Sequence, residues 1–496
     1  MSMTHSNAPF KMENLQKRLD DLKEFIQTSV RKGRPAHEAE RDFWQQLLQM
    51  GREAMGLFFH LQGAGDMGET VSLPTGEECQ RLEEQHQRRY VSVFGEFLLW
   101  RAVYGSREKQ KIEFVPLDHR LQLPESVFSY VLQDWDQSLC VDEAFGQAKT
   151  TMERILGLKQ SVGSLEQMNQ DMAKEATTVM LNRPVPEEEG EIVVASADQK
   201  GIVRRRSVDN PAPKAHRTKG EKARVKRMAT VATTYTVDRY ARTAEEVVAA
   251  LFRDGVEPVR KRPEPQHKEV WASLPKNAKP GSGIDSAFAW MVGGLYMRGR
   301  LEGKPMVFLS DGQKALWEAR DSWLPEGAID ILDLLHVTPR LWQAAHLFHK
   351  EGSPGAEAFV REHLLRVLQG KAEDVVRGLR AKAVEQKLSS TRKKRLTTVC
   401  NYLMSNRQRM RYDEYLREGY PIATGVVEGA CRHLVKDRME RAGMHWTVPG
   451  AQAMLDVRSI FVSDAWQEYQ SYRIESETER LYPFRAIIES DYQIAI

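Results

Sequence analysis

Three apolar runs restrict the folds open to this chain more than any other feature: EIVVASADQKG (191–201), GKPMVFLSDGQKALWEAR (303–320) and IDILDLLH (329–336). Short β-branched or leucine-rich stretches of this kind build strands that are covered on both faces. The first run is expected to end at Asp198, with a second strand after it and a third in KRMATVATTYTV (226–237). The second gives a strand, the turn Asp311-Gly312 and a helix. The third gives another strand, reaching His336. An α/β sheet with flanking helices follows.

Asp198 and Asp311 share one design, an apolar strand ending in an acid before a glycine or polar turn. A strand end holds a carboxylate at the edge of a sheet on rigid backbone. Taken singly, such an aspartate more often caps the next helix than does chemistry. Two of them on neighbouring strands can hold divalent metals that need hard oxygen ligands. Glu428, on a helix in GYPIATGVVEGACRHLVKDRMERAGMHW, would complete the cage. Paired metals activate the attacking oxygen and stabilise the leaving oxygen of an in-line phosphoryl displacement.

The rest of the chain divides around this centre. At 496 residues it is too long for one ordinary core, and it reads as several domains. Residues 1–62 are helical, with Met12, Leu15, Leu19, Leu22 and Ile26 at three- and four-residue intervals. That stripe either packs on the next helix, around Phe43, Leu47, Leu57 and Phe58, or forms a dimer seam. A linker over 63–76 leads into a hairpin region, 77–120, where Tyr90, Val91, Val93, Phe94, Phe97, Leu99 and Trp100 alternate with turn residues. Residues 121–185 are helical. Within them VDEAFGQAKTTMERILGL reaches Gly157, and SLEQMNQDMAKEA follows with Ser164 as N-cap, the outline of a helix-turn-helix. The Pro- and Glu-rich stretch 182–191 marks a boundary. The sheet occupies 191–336, a long basic helical region 337–418, and the helix of Glu428 belongs to the last part, 419–496.

Composition narrows the partners. The 72 Lys and Arg against 69 Asp and Glu leave a net charge of +3, so any nucleic-acid footprint rests on local clusters. Ten Trp, 17 Phe and 14 Tyr exclude a wholly disordered chain. The four cysteines (79, 140, 400 and 431) form no C-x-x-C pair, which argues for a reducing compartment without a disulfide framework or a zinc site. No stretch has the apolar length of a membrane span and the first residues lack a signal peptide's apolar centre, so a cytoplasmic protein is expected.

Four blocks, in order, carry a family resemblance: ASADQKG, FLSDGQKALW, DLLHVTPRLWQAAHLF and TGVVEGACRHLVKDRMERAGMHW. With these, and with RRYVSVFGEFLLWRAVYG, PLDHRLQLPESVFSYVLQDW and LKQSVGSLEQMN ahead of them, the chain resembles bacterial insertion-sequence transposases of the DDE type, most closely the Kra-type group. The resemblance implies an RNase H-like catalytic domain with Asp198, Asp311 and Glu428 as catalytic triad and metal ligands. It implies Mg²⁺, with Mn²⁺ as substitute, two ions per site. The 117 residues between Asp311 and Glu428 fit groups that insert a helical domain there. Those groups place an Asp-x-x-His signature after the second Asp, and Asp333 and His336 match it. We take His336 to orient a carboxylate or contact the scissile phosphate, against the blander role of a satisfied strand-end histidine. His346 and His349, on the next helix, read as ordinary.

A transposase needs double-stranded DNA at both element ends and at the target, handled by a dimer or higher assembly on the nucleoid. Residues 204–227 hold ten basic and two acidic residues: Arg204, Arg205, Arg206, Lys214, Arg217, Lys219, Lys222, Arg224, Lys226 and Arg227 are the candidate DNA contacts. TRKKRLTTVCNYLMSNRQRMR, with Lys393, Lys394 and Arg395, is a second cluster. Arg432, Lys436 and Arg438 follow Glu428, the first two on its helical face at i+4 and i+8. Trp446 either stacks on a base at a transposon end or packs in the core. Two rival readings are a structure-specific RNase H-like nuclease and a DNA-binding regulator derived from a transposase.

Overall fold

The computed structural model describes residues 10–106, 112–184, 186–205, 226–255, 260–275, 282–298, 303–441 and 443–488. The chain forms two compact units: one is built from the N-terminal part up to Met168 together with the segment from Gln467, the other from Asn169–Trp466. Among the described residues no helix is long and apolar enough to cross a membrane.

In the first unit α1 (Met12–Arg31) and α2 (Ala36–Leu61) pair as a hairpin, with Phe25 meeting Phe43 edge to face at 5.1 Å. α1 buries none of its residues fully. Strands β1 (Thr70–Ser72), β2 (Glu78–Arg81) and β5 (Tyr104–Gly105) form a small sheet, so the expected linker over 63–76 contains a strand. β3 (His86–Ser92) and β4 (Gly95–Arg101) form the expected hairpin, with Phe97 and Leu99 inward and Leu98 and Trp100 outward. Asp118 on α3 (Pro116–Leu121) accepts from Arg88 and Arg101, one on each strand, and so clamps the hairpin. α4 (Tyr130–Cys140) and α5 (Phe145–Leu156) follow, and Gly157 ends α5 at φ 71°, a left-handed conformation glycine adopts without cost. α6 (Val162–Leu181) begins two residues before Ser164. Ser161 Oγ accepts the Ser164 N–H at 2.9 Å, so Ser161 caps the helix and Ser164 lies in its first turn.

The second unit is a five-stranded mixed sheet, ordered β10-β9-β6-β7-β8. β6 (Ile192–Val203), β7 (Lys226–Val237) and β8 (Gln266–Ser273) run antiparallel in succession, while β9 (Met306–Ser310) and β10 (Ile329–Leu332) run parallel to β6. β6 does not end at Asp198. It continues to Val203, so the expected second strand is its own extension and KRMATVATTYTV is the second strand. The reason is pairing: β7 matches β6 along all twelve residues, whereas β9 pairs only with Val193–Ala197. Asp198 therefore stands where the parallel partner stops.

α7 (Ala244–Phe252) lies between β7 and β8, α8 (Ser282–Arg298) between β8 and β9, and α9 (Lys314–Trp323) between β9 and β10. Phe308 packs between Phe288 of α8 and Trp317 of α9. Ile192, Val194, Val307, Leu309 and Ile331 share one core with α10 (Leu334–Phe348), α11 (Pro354–Leu368), α12 (Ala372–Glu385), α13 (Ser390–Ser405) and α14 (Tyr412–Arg417). Covering both faces accounts for the near-continuous apolar strands. After α14 come α15 (Gly425–Ala430), a π-helical turn over Cys431–Lys436, α16 (Asp437–Met439) and α17 (Val448–Val462). α17 seals the β8 edge: Ser463 Oγ accepts from Val270 N, and Gln452 bonds both Leu274 N and Ala272 O. α18 (Trp466–Leu481) leads back into the first unit, where Arg473 donates to Gln133 at 2.8 Å.

Candidate metal centre at the sheet edge

Strand register builds the site. Ala197, Ser310 and Leu332 stand side by side on β6, β9 and β10. The residue after each is an aspartate: Asp198 within β6, and Asp311 and Asp333 just past the ends of β9 and β10. Parallel strands lie about 4.8 Å apart, so this register alone sets three carboxylates in a row at one sheet edge. Ser310 stitches the row, its hydroxyl donating to Ala197 O at 2.8 Å and its carbonyl accepting from Asp333 N at 2.9 Å.

The three carboxylates are used differently. Asp198 accepts from Gln199 N at 2.6 Å and lies 3.3 Å from the Cys431 thiol. Asp311 accepts from Gln313 N at 2.9 Å, and the Gln313 amide donates to Gln199 at 2.7 Å, tying the two strand ends together. Asp333 is fully buried and its oxygens are fully engaged. Oδ1 accepts from Leu335 N (3.0 Å) and Thr424 N (3.1 Å), and Oδ2 from Thr424 Oγ1 (2.5 Å) and His336 Nδ1 (2.6 Å). Asp333 thus caps α10, so the third apolar run turns helical at Leu334 and His336 sits in a first helical turn instead of at a strand end. The same carboxylate holds the turn ahead of α15, whose first turn carries Glu428.

Ligand atoms of Asp333, His336 and Glu428 lie within 4.8 Å of one another, close enough to share a metal ion. The saturated lone pairs of Asp333 favour a narrower part for it, that of orienting the imidazole. Accepting the Nδ1 proton leaves His336 Nε2 as the outward nitrogen. Asp333 hydrogen bonding also pushes the His336 pKa up against its burial, helped by the charges of Asp333, Asp311 and Glu428.

Burial pushes the Asp311 carboxyl up from its ordinary value. Gln313 N–H opposes that rise, the charges of Asp198 and Asp333 add to it, and His336 also opposes it. Glu428 is raised by burial and by Asp333 and Asp198, with His336 opposing. Asp311 and Glu428, each raised by burial and by neighbouring acids, belong to a donor set suited to a hard divalent cation. The strands leading to Asp198 and Asp311, paired in the sequence analysis, are neighbours in the sheet. Sequence reasoning missed Cys431, whose thiol burial and Asp198 hold well above the ordinary range, and which no spacing rule announces.

It also missed Tyr402. This residue of α13 lies against Gly312, where an added Cβ would fall 2.5 Å from the ring. Arg340 covers the ring at 4.6 Å. Burial raises the Tyr402 hydroxyl to about 12, with Asp311 and Asp333 adding to the rise and Arg340 and the Gly312 N–H opposing it. Gly312→Ala is expected to cost about 1–3 kcal/mol by forcing that ring aside. Urea melts should show the loss shrinking in a Tyr402→Ala background; equal losses in both backgrounds would mean that the ring is not the obstacle.

The basic residues scatter. Arg204 and Trp446 form a bridge, with Arg205 N donating to Trp446 O at 2.7 Å. Lys226 pairs with Glu440 at 2.6 Å and Arg227 donates to Pro275 O at 2.8 Å. Lys393, Lys394 and Arg395 are exposed on α13. Arg432 and Lys436 are exposed, but the π turn breaks the 3.6-residue count on which their shared face with Glu428 was expected. Arg438 is fully buried, its guanidinium 5.0 Å from the Trp446 ring, out of reach of a phosphate. Trp446 also donates to Met439 O at 3.1 Å, the packing alternative for this residue. Arg206, Lys214, Arg217, Lys219, Lys222 and Arg224 lie outside the described residues.

No family model matches the chain, and no curated protein matches it. Among solved structures, the Drosophila P element transposase strand transfer complex aligns with 75% of this chain and 87% of that one, at 8% identity and a TM-score of 0.24. At that score the likeness carries no argument, and the functional reading rests on the geometry of the site.

Proposed function

We propose that the chain is a DDE transposase whose carboxylate edge carries out phosphoryl transfer on DNA. The observation that carries the reading is the row Asp198–Asp311–Asp333 in strand register, with Glu428 brought beside it. A sheet whose first three strands are antiparallel and whose last two run parallel to the first supports an RNase H-like catalytic domain, interrupted by the helices α10–α14.

Asp198, Asp311 and Glu428 would hold Mg²⁺ or Mn²⁺, with His336 Nε2 at hand as a fourth donor. Bound there, the ions would activate the attacking oxygen and neutralise charge on the scissile phosphate. The chain's own part is placement: Asp333 fixes the imidazole and the approach of α15, and Gln199 and Gln313 lock the two strand ends. Water cleaves a phosphodiester at each element end, freeing a 3′-OH that attacks the target strand in direct transesterification. No nucleophile from the protein is required. The pair α5 and α6 and the exposed basic residues of α13 are the proposed DNA contacts, and a dimer on DNA handles the two ends.

The test mixes protein, labelled DNA from the gene's flanks, Mg²⁺ or Mn²⁺ and a target plasmid. End-specific cleavage joined to the plasmid, lost in Glu428→Gln, is expected. Cleavage without joining would replace this reading with that of a structure-specific nuclease. Binding with no metal-dependent product would favour a regulator.

A further inference from the structure

Behind the first turns of α10 and α15 lies a cavity of about 750 Å³, walled by aliphatic side chains that include Val247, Leu334, Ile422 and Val426. Its volume falls in the range of small-molecule sites. Polar groups break the apolar lining, among them Tyr235, Arg242 and Arg262 and the acids Asp238, Glu246 and Glu264. Tyr235 is 3% exposed and lines the cavity. Arg242 lines the cavity with a buried Nε that has no partner, and its Nη2 reaches only Tyr420 O, at 3.5 Å. Arg262 stands exposed at the rim.

The two guanidiniums are close enough to work against each other. Burial lowers the Arg242 pKa and the charge of Arg262 lowers it further, while Tyr240 and Glu246 oppose the fall. Of the lining acids, Glu264 pairs with Lys261 at 3.4 Å, Glu246 accepts from Thr243 N at 2.7 Å in its helix cap, and Asp238 accepts from the Gln266 amide at 3.3 Å. A buried guanidinium nitrogen without a partner, beside an apolar wall, is costly unless an acceptor joins it.

We propose that this cavity binds an amphipathic oxyanion, its aliphatic body against the apolar wall and its carboxylate or phosphate head held by Tyr235, Arg242 and Arg262. Leu334 and Leu335 directly follow Asp333, and Gly425 and Val426 precede Glu428, so an occupant packs against the turns that carry the carboxylate edge. That link to regulation rests on the functional reading above; the binding does not.

Calorimetry on the full chain, with no DNA present, tests it using decanoate, decyl phosphate, decanol and acetate. Decanoate or decyl phosphate should bind one to one, the tighter of the two naming the head group. Decanol and acetate should each bind at least tenfold more weakly. Arg262→Met, at an exposed position, and Tyr235→Phe, which keeps the ring, should each weaken binding at least tenfold with the melting temperature little changed. The proposal is overturned if decanol binds as tightly as decanoate, if both variants bind as the wild type does, or if no probe gives heat. Loss of cleavage activity would leave this result standing, and absent binding would leave the cleavage reading untouched.

Discussion

Asp311→Asn should still bind DNA ends, within about threefold of wild type, yet lose cleavage by on the order of 10³-fold or more, roughly 4 kcal/mol of barrier. The side chain keeps its size, and its amide oxygen can still accept the Gln313 N–H, so the turn after β9 should hold. What disappears is a negative charge in the middle of the row, between Asp198 on β6 and Asp333 just after β10. Removing that charge also removes the burial cost and the repulsion from Asp198 and Asp333 that raise Asp311 itself, so the metal-free variant should be no less stable than wild type. Two readouts therefore move apart: cleavage falls while the melting temperature holds or rises. Cleavage at the wild-type rate would remove Asp311 from the catalytic set.

Asp333→Ala should behave in the opposite way, as a loss of structure. It strips the partners from Leu335 N, Thr424 N, Thr424 Oγ1 and His336 at once, in a fully buried place. Orphaned buried donors cost about 1–3 kcal/mol each, so a total of at least about 3 kcal/mol is expected from urea melts. That is a large share of the roughly 5–15 kcal/mol a typical native protein possesses. A loss below about 1 kcal/mol would show that the carboxylate is not what joins α10 to the turn ahead of α15.

The same pair gives a pH signature. The His336 pKa is raised in the fold, so the contribution of the charged imidazole is fully present below the unfolded value of about 6.5 and is lost as the pH rises through the folded one. His336→Gln should flatten the stability profile above about pH 6.5. The imidazole is partly exposed, which keeps the effect small. An unchanged slope would mean that the Asp333 hydrogen bond does not hold the proton.

Both substitutions act on residues visible in the sequence, but the sequence did not separate their roles. Asp311 and Asp333 each follow an apolar run and look alike there. The difference lies in what arrives from far along the chain. Thr424, some ninety residues on, saturates Asp333, while Asp311 keeps an oxygen open to the edge. QHKEVWAS was no less obscure as the third strand of the sheet, since much of its support comes from pairing with β7 and from the α17 side chains at its edge.

By itself the sequence determined the apolar strands that lead to Asp198, Asp311 and Asp333, and the candidate acids. Burial and β-branching are local properties, so IVVASA, MVFLS and IDIL could be read as strands ending near carboxylates, and the position of Glu428 on a helix could be read with them. Tertiary structure decided everything that depends on partners distant along the chain. Pairing with β7 carried β6 past Asp198, and register aligned Ala197, Ser310 and Leu332. The π turn broke the helical count beyond Glu428, Arg438 became buried against Trp446, and α13 delivered Tyr402 to Gly312. A hydrogen-bond ladder or a packed ring is a contact between two segments, and its free energy exists only once both are in place.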